Sequence, residues 1–151
     1  MTEVSVMAAK RKNRKRLIII LIIITLTFIW GNSMIPGDLS SDMTDWLKGL
    51  LSKILPIFKG EKEASGGHIL RKCMHFTEYM ILGLEMTSLK YHSRKLDNHG
   101  VLLMGILAAM IDETIQLFVA GRAGMLQDVW LDTAGFVTGF VIVTFVHKIR
   151  A

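Results

Sequence analysis

The sequence predicts an all-α membrane protein, with four transmembrane helices plus one outer-surface amphipathic helix. Three observations carry this. Apolar residues make up 51% of the 151 residues and are gathered into long runs, unlike those of a soluble globule. Several runs reach the length of ~20 residues that crosses a hydrocarbon core of ~30 Å. The basic residues fall into segments that a four-span arrangement puts on one side of the membrane.

Residues 1–16 are a basic amino terminus containing Lys10, Arg11, Lys12, Arg14, Lys15 and Arg16. Residues 17–35 follow as a charge-free run of spanning length, transmembrane helix 1. A basic stretch ahead of an apolar run also opens a signal peptide, but this run is longer than a signal core and no A-x-A-like site follows, so an uncleaved anchor is expected. Pro36-Gly37 breaks the helix, and Asp38, Ser40 and Ser41 offer caps to the next. Leu39, Met43, Trp46, Leu47, Leu50, Leu51, Ile54, Leu55 and Phe58 then recur at three-and-four spacing, opposite Asp42, Asp45, Lys48 and Lys53. Such a helix is too short before Pro56, and too charged on its polar face, to span. It is expected to lie on the outer surface with Trp46 at headgroup level, or to pack its apolar face over the bundle. Residues 61–68 read as a polar, glycine-containing linker, so residues 36–67 form an external helix and linker.

Residues 68–147 hold the other three spans. The first of them, 73–89, contains His75, Glu78 and Glu85. It reads as a span because these polar residues, with Tyr79, share an arc of roughly 120°. The segment after it carries Lys90, Arg94 and Lys95, with His92 and His99 expected as solvated loop residues. Runs 101–120 and 129–147 complete the set, and Lys148 and Arg150 follow. The positive-inside rule then places both termini in the cytoplasm. A net charge of +5 distributed in this way fits a membrane surface and argues against nucleic acid as a partner. Cys73 is the single cysteine, so no internal disulfide forms.

The functional signal is a group of acids where lipid-facing residues belong. Ionisable side chains within a membrane span are costly and face protein or a water-filled cavity, so they mark candidate sites. Asp112, Glu113 and Gln116 lie within roughly 100° of one another on one helix, and Asp128, Asp132, Gly135 and Gly139 within roughly 60° on the next. Gly135 and Gly139 make a G-x-x-x-G, which allows close helix approach inside the chain or in a homo-oligomer. The turn between, Gly121-Arg122-Ala123-Gly124, can hold the Arg122 guanidinium over the acids. His75 and Glu78 fall at the same depth by a rise of about 1.5 Å per residue, whereas Glu85 is deeper and lies outside the group. The candidate ligand-binding set is therefore His75, Glu78, Tyr79, Asp112, Glu113, Gln116, Arg122, Asp128 and Asp132.

Lys72, His75, Phe76, Tyr79, Leu82 and Gly83 spell K-x-x-H-F-x-x-Y-x-x-L-G, which resembles VanZ-like membrane proteins. The family's later E-x-x-Q and R-x5-D-x3-N-x2-G pattern is matched at Glu113, Gln116, Arg122, Asp128 and Gly135, with Asp132 where the family usually has Asn. The resemblance covers roughly residues 68–145. It implies a small bacterial protein of the cytoplasmic membrane, related to one associated with low-level resistance to the lipoglycopeptide teicoplanin.

Several chemistries fit the cluster. Glu113 and His75 are the candidate pair for proton transfer in an acid/base enzyme acting on an envelope lipid or antibiotic. No nucleophile signature accompanies them. Glu113, Asp128 and Asp132 offer oxygens to a hard cation such as Ca²⁺ or Mg²⁺, while one nearby histidine speaks against zinc, and no cofactor is assigned. The acids and Gln116 can also serve only as interhelical hydrogen-bond partners in a structural or accessory protein. Binding of a lipid-linked wall precursor or a lipophilic glycopeptide is preferred to catalysis.

Overall fold

A computed structural model describes residues 3–54, 63–93 and 96–150. Among these residues the chain is helical throughout, with five helices and no strand: α1 (Glu3–Ser33), α2 (Gly37–Ile54), α3 (Glu63–His92), α4 (Asn98–Leu117) and α5 (Leu126–Arg150). Stretches within α1, α4 and α5 are long and apolar enough to cross a membrane (Ser5–Ser33, Asn98–Leu117, Leu126–Arg150). α3 does not reach that apolarity.

α3 is instead the hub of the bundle. It packs most extensively on α5, then on α1, and also touches α2 and α4. From Leu70 to His92 only Cys73, Thr77 and Ile81 are exposed. A helix wrapped by others can carry His75, Glu78 and Glu85 because those groups meet protein instead of hydrocarbon. The surrounding helices show the complementary pattern. Leu17, Ile20, Ile23, Ile24 and Phe28 of α1 and Val141 and Phe145 of α5 are exposed, while Ile22 and Ile29 join Tyr79, Leu82, Met86, Val101, Ala109 and Phe136 in the core. Large aliphatic residues directed outward all round a helical bundle fit a protein embedded in lipid.

Glycines let α3 and α5 meet backbone to backbone. A Cβ on Gly135 would strike the Phe76 carbonyl, one on Gly139 the Met80 carbonyl, and one on Gly83 the Phe136 carbonyl. The G-x-x-x-G face is thus filled by α3 of the same chain, and Gly135 and Gly139 are buried. Of the two partners the sequence left open for this face, a helix of the same chain is the one packed against it.

Other boundaries depart from the sequence expectations. α1 begins at Glu3, so the basic stretch is a helical extension of the first span. Lys, Arg and Ala are good helix formers, and an apolar helix already nucleated propagates into them. Residues 63–68, expected in a linker, form the first turns of α3, which starts ten residues before 73. His92 ends α3 with Nδ1 2.9 Å from the Ser88 carbonyl, and His99 lies in the first turn of α4, so neither is a loop residue. Leu55, Pro56, Phe58, Glu61, Lys62, Arg94 and Lys95 lie outside the described residues.

α2 presents Gly37, Ser40 and Thr44 inward and leaves Leu39, Met43, Trp46 and Leu50 exposed. Its small residues pack on the bundle, and its apolar residues are largely exposed, with Met43, Trp46 and Leu47 also bordering a cavity against α3.

Candidate functional site

One end of the bundle gathers the end of α1, the start of α2, the first half of α3, the end of α4 and the start of α5. Two turns lock it. The Gly37 amide donates to the Ala120 carbonyl at 2.9 Å, and a Cβ on Gly37 would collide with the carbonyl of Gly121, itself in the left-handed region at φ +72. Arg122 donates from Nε to the Ile35 carbonyl at 3.0 Å and from Nη2 to the Asn32 carbonyl at 2.9 Å. These acceptors lie at and just beyond the last turn of α1, where carbonyls lack intrahelical donors.

The arginine was expected over the acids; it faces them but is held by α1. Among the described residues it forms no ion pair, and its Nη1 is buried without a partner. Burial pulls its pKa below the ordinary guanidinium range, Arg71 adds to the shift, and Asp112, Glu113 and Glu78 oppose it.

Gln116, at the end of α4, is the junction of the polar cluster. Its Nε2 lies 3.0 Å from Asp112 Oδ2, 3.2 Å from Glu113 Oε1 and 3.3 Å from Ser33 Oγ, and its Oε1 accepts from Arg71 Nη2 at 3.4 Å. One side chain thereby ties α1, α3 and α4. Glu113 accepts the Met125 amide at 2.8 Å through Oε2, which fixes the chain just before α5. Asp128 pairs with Lys72 at 3.1 Å. Tyr79 is fully buried and donates to the Ala108 carbonyl at 3.1 Å.

His75 faces two other acids. Its Nδ1 is 3.8 Å from Asp112 Oδ2 and 3.9 Å from Asp132 Oδ1. Glu113 and His75, the pair expected from sequence, line the same cavity, with Glu113 holding a turn and Asp112 and Asp132 nearest the imidazole among the described acids. The oxygen set expected for a hard cation, Glu113, Asp128 and Asp132, lines one cavity, where Glu113 also accepts the Met125 amide and Asp128 pairs with Lys72. Glu78 is buried with Oε2 unpartnered. Glu85 stands apart and accepts from Thr25 Oγ1 at 3.1 Å.

A cavity of about 220 Å³ opens at this end, lined by His75, Glu113, Gln116, Arg122, Asp128 and Asp132 together with Arg71 and Lys72. Tyr79, Asp112 and Glu78 lie behind its wall. The two basic residues of α3 were not in the candidate set, although they stand four and three positions before His75, on its face of the helix. A second cavity of about 380 Å³ lies against α2, lined by Met43, Trp46, Leu47 and Met74 and by the polar Asn32, Ser40, Asp42 and Thr44, and it shares Arg71 and His75 with the first.

Fold and site define a helical membrane protein in which a central polar helix and two apolar ones build a charged pocket at one end of the bundle. Residues 17–147 match the VanZ/LLP1 family, and the chain belongs to that family. Comparison with curated proteins and with solved structures gives no match. The motif residues acquire physical roles here: Gly83 and Gly135 are sites of helix contact, Tyr79 and Gln116 join helices, and His75, Glu113, Arg122 and Asp128 line the cavity.

Proposed function

We propose that this chain is a four-span protein of the bacterial cytoplasmic membrane that binds an amphiphile with an anionic headgroup at its outer side. The ligand class is a lipid-linked wall precursor or a lipophilic glycopeptide of the teicoplanin type, and binding alters the envelope's response to such antibiotics. α3 is the fourth span, wrapped by the other helices, and both termini are cytoplasmic.

The observation that carries the reading is the adjacency of two unlike cavities. The first offers Arg71, Lys72 and Arg122 to an anion, the second offers Met43, Leu47 and Met74 to a hydrocarbon chain, and Arg71 and His75 belong to both. Guanidinium and ammonium groups next to a cavity that has methionine, leucine and tryptophan in its wall match phosphate or carboxylate joined to an acyl or prenyl tail. The exposed apolar face of α2 borders the groove, giving a lateral route from the membrane. Catalysis is the second reading, favoured by the buried imidazole between two carboxylates.

Protein in nanodiscs is titrated with lipid-linked wall precursor and with teicoplanin, and the recovered ligand is analysed by mass spectrometry. Saturable binding of unaltered ligand is expected, weakened about tenfold or more in Arg71→Ala, since a hydrogen bond to a charged group contributes about 1.5–3 kcal/mol. Arg71 is the informative choice because Arg122 also holds α1. Absence of binding to either ligand overturns the proposal, and chemically altered ligand replaces binding with catalysis.

A further inference from the structure

At the wall of the cavity three buried side chains from three helices converge: His75 of α3, Asp112 of α4 and Asp132 of α5. One ligating atom from each lies within 4.8 Å of the others. The Asp132 side chain is 1% exposed, and neither of its oxygens has a hydrogen-bond partner; Asp112 Oδ1 has none either. Buried carboxylate oxygens without donors are costly and demand an explanation. Among the described residues no cation donates to these oxygens: Lys72 pairs with Asp128, Arg71 bonds Gln116 and Arg122 bonds the end of α1. His75 Nδ1, at 3.8 and 3.9 Å, is beyond hydrogen-bond distance of both acids.

We infer that His75, Asp112 and Asp132 are the protein ligands of a divalent transition-metal ion, with manganese or zinc matching the donor set; the single histidine that spoke against zinc in the sequence is here joined by two buried carboxylates from neighbouring helices. An ion about 2.0–2.2 Å from each ligand holds its ligand atoms roughly 3–4 Å apart. The two imidazole–carboxylate separations already lie in that range. The longest separation closes by rotation of Asp132, whose oxygens hold no other bond. Imidazole nitrogen beside two carboxylates favours zinc or manganese over calcium and magnesium, which take oxygen ligands. Gln116 Nε2 orients Asp112 through its 3.0 Å contact with Oδ2, the kind of supporting hydrogen bond that fixes a ligating carboxylate. His75 and Asp132 line the cavity, so the remaining coordination positions face its opening, where a ligand oxygen has access. The assignment stands apart from the amphiphile reading, because an ion binds here with or without a lipid.

The test counts metal. Protein purified in detergent is stripped with EDTA, exposed separately to Zn²⁺, Mn²⁺, Mg²⁺ and Ca²⁺, dialysed, and measured by plasma mass spectrometry. One Zn²⁺ or Mn²⁺ per chain is expected in the wild type and in Glu85→Gln, whose carboxylate lies elsewhere on α3. Less than a tenth of that is expected in His75→Gln and in Asp132→Asn. Since an ion that binds only the folded state raises its stability, the wild-type Tm rises with metal and that of Asp132→Asn does not. If either variant fails to purify as a monodisperse species, protection of His75 from diethyl pyrocarbonate by metal in the wild type reads the same contact. Absence of saturable Zn²⁺ or Mn²⁺ binding, full occupancy in both ligand variants, binding of Mg²⁺ or Ca²⁺ alone, or a His75 that stays reactive in metal-loaded protein overturns the assignment.

Discussion

The two ends of the helical bundle use polar residues in opposite ways. At the cavity end His75, Glu78, Asp112, Glu113, Gln116 and Asp132 are all buried, and two turns are pinned to each other through Gly37 and Ala120. At the other end Tyr91 stacks on His147 with ring centroids 3.7 Å apart, Lys90 reaches Asn98 across the gap between α3 and α4, and Asp97 caps α4 by accepting the Gly100 amide at 2.9 Å. Most of its charged groups, Lys148 and Arg150 among them, are exposed. One end buries ionisable groups against one another; the other leaves them solvated. Hydration holds charge at little cost, so the solvated end is structurally ordinary, whereas the buried end must be held by packing and by specific partners.

The largest expected effect is all-or-none and concerns which side each end faces. In a Cys73→Ser background, Ser41→Cys near the cavity and His99→Cys at the opposite end are treated with a membrane-impermeant maleimide. Ser41→Cys is expected to react in intact cells and His99→Cys only after permeabilisation, as the positive-inside rule requires of the basic end. The reverse pattern places the cavity in the cytoplasm.

Next comes the locked turn and the junction beneath it. Gly37→Val forces a side chain into the Gly121 carbonyl, and overpacking against backbone costs about 1–3 kcal/mol. Gln116→Leu removes the contacts to Ser33, Asp112, Glu113 and Arg71 and leaves buried acceptors unpaired, at about 1–3 kcal/mol for each strongly affected group. Thermal unfolding in detergent is expected to show a lowered Tm for both. A Gln116→Leu protein as stable as the wild type breaks the contrast, because the cavity end then needs no polar junction.

The smallest effect belongs to the solvated end. The Gly100 amide holds the Asp97 carboxyl below its usual range. A depressed folded-state pKa contributes stability above the unfolded value, and that contribution is lost as pH falls below about 4. Asp97→Ala is therefore expected to lower Tm slightly at neutral pH and to match the wild type more closely in acid. A decrease as large as that of Gln116→Leu would show that this end, too, depends on specific partners.

Helical class, membrane character and the face shared by Asp112, Glu113 and Gln116 were legible in the sequence, because hydropathy and the 3.6-residue period are properties of one segment at a time. The same holds for α2, whose three-and-four spacing appears from Gly37 to Ile54 as an amphipathic helix. The VanZ-like motif was legible too, and the family match over residues 17–147 bears it out. Pairings were not legible, because they depend on how helices rotate and dock. Sequence put Glu113 and His75 in one site, and both line the cavity, but it did not show that Glu113 bonds the Met125 amide or that the imidazole lies beside Asp112 and Asp132. Arg122 sits near the acids as its turn suggests, but the direction of its guanidinium was decided by the carbonyls at the end of α1. The G-x-x-x-G announced a close contact without saying with what, and the carbonyls of α3 answer that only when the two helices are side by side. Local periodicity therefore determined the elements and the faces of this protein. Docking between distant segments decided which buried polar groups found partners, and so where His75, Asp112 and Asp132 converge.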